Sequence, residues 1–145
     1  MFVSLILGSV TVIVSMTIQV FAVVLMLRYL ITAIAEHERS TAGFRYESYA
    51  ITLVLMMLFI GHLAQIAIWA ILFMFLGEFD SFQTAFYHSA VNFASLGYGD
   101  IVKSEDWRLL GAIEASNGVL MFGLSAGTLL SVMTNLFANS KFKDA

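Results

Sequence analysis

Cysteine and proline are both missing from this chain of 145 residues. Without cysteine it has neither disulfides nor thiolate metal sites. Without proline, no bend in any of its helices can be a proline kink. Charge is scarce as well: Asp, Glu, Lys and Arg make up 12% of the chain and sum to a net charge of −3. No basic patch suggests a nucleic-acid partner. There is no nucleophile–base pair, metal-ligand cluster or glycine-rich phosphate loop, so the chain does not read as an enzyme, and no organic cofactor is expected.

What is present is apolar. Hydrophobic residues are 60% of the chain, with 13 Phe and 8 Met, which is a membrane composition with lipids as the surrounding partner. An all-α membrane protein with three spans is predicted, at 1–35, 48–77 and 107–138. Each exceeds the ~20 residues that cross the hydrocarbon layer. The first lacks a basic start and a small-residue cleavage site, and it is too long for a signal's apolar region, so it reads as a retained span. Between the second and third spans, residues 81–94 predict a short helix of about three turns, with Ser81 as N-cap and Asp80 just before it. That helix is too short to cross. It and the segment after it read as a re-entrant unit, since irregular backbone at membrane depth needs protein or a water-filled cavity around it.

Basic residues set the orientation. Arg28, Arg39 and Arg45 lie in or beside the 36–47 turn-around, and Lys141 and Lys143 lie in the 139–145 tail. The opposite side has Lys103 and Arg108 among Glu78, Asp80, Asp100, Glu105 and Asp106. The positive-inside rule puts the 36–47 loop and the tail in the cytoplasm of a multi-pass cell-membrane protein, with the N-terminus outside. Arg28 is the one basic residue of the first span, so that span is no voltage-sensing charge ladder.

The most informative stretch is Ser95-Leu96-Gly97-Tyr98-Gly99-Asp100. Glycine reaches the left-handed region without a Cβ penalty, so Gly97 and Gly99 suit a strip whose backbone alternates between ordinary and left-handed conformations. With the short helix before it and a span on either side, the stretch resembles the selectivity filter of the tetrameric potassium channel superfamily. The resemblance is to the bacterial two-transmembrane pore type, here with an extra N-terminal helix, and it is close from Phe86 to about Met133. It implies a pore domain over 48–138, built of an outer helix (48–77), a pore helix (81–94), a filter (95–100) and an inner helix (107–138). It implies a homotetramer of C4 symmetry, because one loop supplies one quarter of each ring of carbonyls. The implied activity is passive K⁺ conduction. K⁺ would be bound by the carbonyls of Ser95, Leu96, Gly97 and Tyr98 and the Ser95 hydroxyl, with Gly99 permitting the outer turn and Asp100 shaping the mouth. A weakly selective monovalent cation channel and a non-conducting regulatory membrane subunit are the alternatives.

The sequence departs from the family pattern in places. Ser95 and Ala94 stand where Thr is usual, and Lys103 where Pro often follows the filter. Val91 stands where many members carry a Glu that pairs with the filter Asp, so the rear bracing must differ. Tyr87 and His88 are the candidate donors to Asp100. Glu114, inside the third span, is a functional candidate by default and shares a face with Asn117. Asn92, or His62 and Gln65, could partner it. Gly118 is the candidate gating hinge, with close helix packing as its alternative, and Gly123 with Gly127 fits a packing pair. The gate is expected around Ser131 to Leu136. His37 reads as a solvated loop residue rather than a pH sensor, and His62 as a hydrogen-bonded intramembrane residue rather than a metal ligand.

Overall fold

The structure, a computed structural model, describes residues 1–37 and 44–141, and their side chains except at 31, 33–37, 44–47 and 137–141. Half of the 36–47 loop (38–43) and the end of the 139–145 tail therefore lie outside the described residues, as do the side chains of His37, Arg39, Arg45, Lys141 and Lys143. The described chain is helical. α1 is Phe2–His37, α2 is Phe44–Phe75, α3 is Phe82–Phe93, and a 3-10 turn at Glu105–Trp107 leads into α4, Arg108–Lys141.

Lipid leaves backbone polar groups no water to bond with, so an apolar chain crossing it satisfies them internally as helix. α1, α2 and α4 have 36, 32 and 34 residues. Their lengths of roughly 48–54 Å exceed the ~30 Å of hydrocarbon. Within them, Phe2–Leu30, Ser48–Phe75 and Glu105–Leu136 are long and apolar enough to span a membrane. α3, with 12 residues, covers only about 18 Å.

α1 packs against both α2 and α4, and α3 sits between α2 and α4. α1 and α4 run parallel. Ser4 Oγ donates to the Asp106 carbonyl (3.3 Å) at one end, and Met26 and Leu30 share a buried cluster with Val132 and Leu136 at the other. The N-terminus thus lies at the same end of the bundle as α3. Two apolar clusters form the core. One joins Met26 and Leu30 to Ala50, Val54 and Leu58 of α2 and to α4. The other, around α3, joins Ile66, Trp69 and Phe73 to Phe93, Leu110 and Met121.

Between these clusters lies a layer of buried polar side chains. Gln65 Nε2 donates to Gln19 Oε1 (2.7 Å). Gln19 Nε2 donates to Ser125 Oγ (2.9 Å), and Ser125 Oγ meets His62 Nε2 at 3.1 Å. The layer links α1, α2 and α4 through side chains that are all buried. A buried polar group without a partner costs more than a hydrogen bond gains, so these bonds favour one mutual alignment of the three helices, with Gln65 Oε1 and His62 Nδ1 left unpaired among the described residues. The Gln19→Leu variant should therefore lose two interhelical bonds and about 1–2 kcal/mol of stability. An unchanged melting temperature of the purified protein in detergent would show that α1 is not held this way.

Candidate functional site

α3 is fixed at both ends by its own sequence. Ser81 is in extended conformation and its hydroxyl accepts from the Thr84 N–H (3.2 Å), capping the first turn. At the other end, the Ser95 N–H donates to the Asn92 carbonyl (2.8 Å) and the Leu96 N–H to the Val91 carbonyl (2.9 Å). This pair of bonds is a Schellman motif, which requires a left-handed residue just beyond the cap. Ser95 is that residue, with φ +56°. Glycine usually fills the position, and serine here costs about 1–2 kcal/mol of backbone strain.

The left-handed conformation then recurs at every second residue: Gly97 has φ +61° and Gly99 φ +72°. Alternation was expected at the two glycines, and the structure extends it to Ser95. Residues 94–100 are all exposed on the single chain. The N–H and C=O groups of Gly97, Tyr98 and Gly99 make no backbone hydrogen bond among the described residues.

Three side-chain contacts hold the segment that follows. Of the two candidate donors to Asp100, Tyr87 is the one used: its hydroxyl donates to Asp100 Oδ2 at 2.6 Å, while Oδ1 accepts from the Ile101 N–H (3.1 Å). The bond lowers the Asp100 pKa below its ordinary value and raises that of Tyr87. Ser104 gives both its N–H (2.8 Å) and its hydroxyl to the Glu78 carboxylate. Between them, Lys103 turns inward and is 6% exposed. Its Nζ is 3.6 Å from Glu114 Oε2 and 3.5 Å from the centre of the Phe73 ring.

Behind the strip runs a polar chain from α3 to α4. Asn92 Nδ2 donates to Glu114 Oε2 (3.1 Å) and lies 3.0 Å from His88 Nε2. An amide donating to Nε2 leaves the ring proton on Nδ1. His88 is neutral: burial, then the nearby Lys103 charge, push its pKa down to about 4. A cavity of about 370 Å³ opens beside this chain, lined by His88, Val91, Asn92, Gly97, Lys103 and Gly111 among others. Val91 contributes a buried apolar wall there.

Glu114 is thus partnered by Asn92 and Lys103. His62 and Gln65, the other sequence candidates, are engaged in the Gln19–Ser125 layer instead. Asn117 is buried beside Glu114 on α4, and both its amide atoms lack a hydrogen-bond partner among the described residues. At Gly118, α4 passes directly over the end of α3: a Cβ there would overlap the Phe93 carbonyl oxygen. The structure therefore supplies the close-packing reading of Gly118. Gly123 and Gly127 have open space around them on the single chain. Sequence reading missed the inward turn of Lys103 and the part played by Phe73. The signal available was a lysine where the family pattern has proline.

Residues 52–135, more than half the chain, match the family described as Ion channel. The chain belongs to the ion channel family. The channel's α1 lies ahead of the matched region, which takes in most of α2, all of α3, the strip and most of α4. Comparisons with curated proteins and with solved structures returned no match. With three helices able to span, the channel is a multi-pass membrane protein.

Two outcomes follow from this geometry. Gly118→Ala should cost roughly 1–3 kcal/mol, because the Phe93 backbone must move aside; a variant of full stability but altered opening would favour a hinge. Tyr87→Phe should raise the Asp100 pKa toward its ordinary value. Since the native pKa is depressed, the ionised state and the bond's contribution persist above ordinary carboxylate titration and are lost as pH falls through the lower value. In the variant, which lacks the bond, protonation of Asp100 should begin at higher pH, as read by conductance in low salt or by carboxylate NMR. Superimposable wild-type and variant curves would contradict it.

Proposed function

We propose that four copies of this chain surround one axis and conduct K⁺ passively and selectively through residues 95–99. The observation that carries this reading is the left-handed backbone at Ser95, Gly97 and Gly99, in an exposed strip at the end of a short capped helix. A dehydrated K⁺ needs rings of oxygen in place of its water, and a strip of main-chain carbonyls from each of four subunits provides them. The single chain leaves Leu96 54% and Tyr98 65% exposed. Irregular backbone of this kind is stable at membrane depth only when other copies and a wet pore enclose it.

The remaining parts fit this role. α3 points its C-terminal end toward the strip, and the partial negative charge of a helix C-terminus favours a cation there. The ionised Asp100 concentrates cations at the mouth. α4 has an exposed stripe through Ser116, Val119, Leu120, Gly123, Gly127 and Leu130, which is available to line the pore or meet neighbouring copies. In this reading the mouth and the N-terminus face outward and the C-terminus the cytoplasm, as the basic residues favour. One feature favours the weaker alternative of a poorly selective cation channel: Val91 offers Asp100 no carboxyl partner, and among the described residues Tyr87 is the side chain that bonds it.

Reversal potentials of reconstituted protein, with K⁺ on one side and Na⁺ on the other, test the reading. A potential near the K⁺ equilibrium value is expected. A value near zero would leave only the weakly selective channel, and silence under all conditions would leave the non-conducting subunit. Gly99→Ala, which forces an L side chain into a left-handed position, should abolish selective K⁺ current; retained selective current would remove the strip from the pathway.

A further inference from the structure

Lys103 is the least expected residue of the outer mouth. A lysine is rarely buried unless it is paired, because its ammonium is costly to take out of water. Here the ammonium has three neighbours, drawn from two helices. Glu114 of α4 supplies the counter-charge, Phe73 of α2 the aromatic face, and Gly111 of α4 the room, since a Cβ there would come within 3.0 Å of Nζ. Glu114 is 0% exposed and is itself held to α3 by Asn92. Burial lowers the Lys103 pKa and the Glu114 carboxylate opposes that shift.

The position of the pair gives it a task. Lys103 lies four residues beyond Gly99, between Asp100, anchored to α3, and Ser104, anchored to the α2–α3 connection. Among the described residues, its contact with Glu114 is the one that ties this segment to a side chain of α4. We propose that Lys103 and Glu114 are a positioning pair for the strip: their ion pair, laid across the Phe73 ring, sets how far the outer end of residues 95–100 stands from α4, and with it the spacing of the ion-binding oxygens. The inference rests on the reading of 95–100 as a K⁺ filter. Neither residue touches the ion. They act through the backbone they hold.

The physics of buried pairs supplies the test. Removing one partner strands a charge, whereas removing both leaves neutral groups that can still pack. Lys103→Met, Glu114→Gln and the double variant are compared with the parent for assembly in detergent and for K⁺/Na⁺ permeability ratio in liposomes. Each single variant should lower the ratio by about tenfold or more, and the double by a smaller factor of at least about threefold. Assembled variants, single or double, with the parent's ratio would overturn the proposal. So would failure of all three to assemble, which assigns the pair to folding alone. Where only the singles fail, the double carries the measurement. A parent protein without K⁺ preference would instead overturn the filter reading, and the pair's role with it.

Discussion

The structure depends on a stretch of backbone that cannot satisfy itself. From Gly97 to Gly99 the peptide groups make no hydrogen bonds of the helical or sheet kind among the described residues, although they lie between helices able to span a membrane. Lipid would not tolerate such groups, because each unpaired one costs several kcal/mol in hydrocarbon. They need water, ions or another protein surface. α3 carries the chain back to the strip without crossing. Its Schellman ending turns the backbone into the left-handed state from which the alternation continues, and the contacts of Asp100, Lys103 and Ser104 hold the far end.

Two buried polar sets serve different ends in this bundle. The layer of Gln65, Gln19, Ser125 and His62 fixes the rotation of α1 against α2 and α4. An apolar layer could slip, because helices in lipid lack a hydrophobic force that prefers one face. The second set, His88, Asn92, Glu114 and Lys103, fixes α3 and the segment after the strip against α4. Both sets include α4. Any displacement of α4 is therefore felt by the strip's supports and by α1, whose parallel course gives it contacts along the length of α4.

The elements that depend on local sequence were legible. Long apolar runs gave three helices, Ser81 capped the short one, and alternate glycines marked the left-handed strip. The pairing of Tyr87 with Asp100 was open to inspection because both flank the strip. Contacts between residues far apart in sequence were not. Lys103 reads as a departure from a pattern until Phe73, thirty positions earlier, is placed under its ammonium. Gln19 looks like an isolated polar residue in an apolar helix until Gln65 and Ser125 are brought to it. Glu114 had the right partner in Asn92 among its candidates, but spacing along one chain could not discriminate Asn92 from His62 and Gln65, which also lie at membrane depth. Gly118 stood open between hinge and packing because a glycine's sequence does not reveal what passes over it.

Ser95 shows how one residue can answer two demands. Read as the first member of the strip, it is valued for its hydroxyl and carbonyl. In the structure it is also the left-handed residue that ends α3, with its N–H committed to Asn92. A β-branched threonine is a marked outlier at positive φ, since its second γ-substituent crowds the backbone there. Serine keeps the hydroxyl at a smaller conformational cost. The replacement of threonine by serine at this position is thus consistent with the way the helix ends: what the strip loses in side-chain rigidity, the helix terminus regains in a turn that it can close.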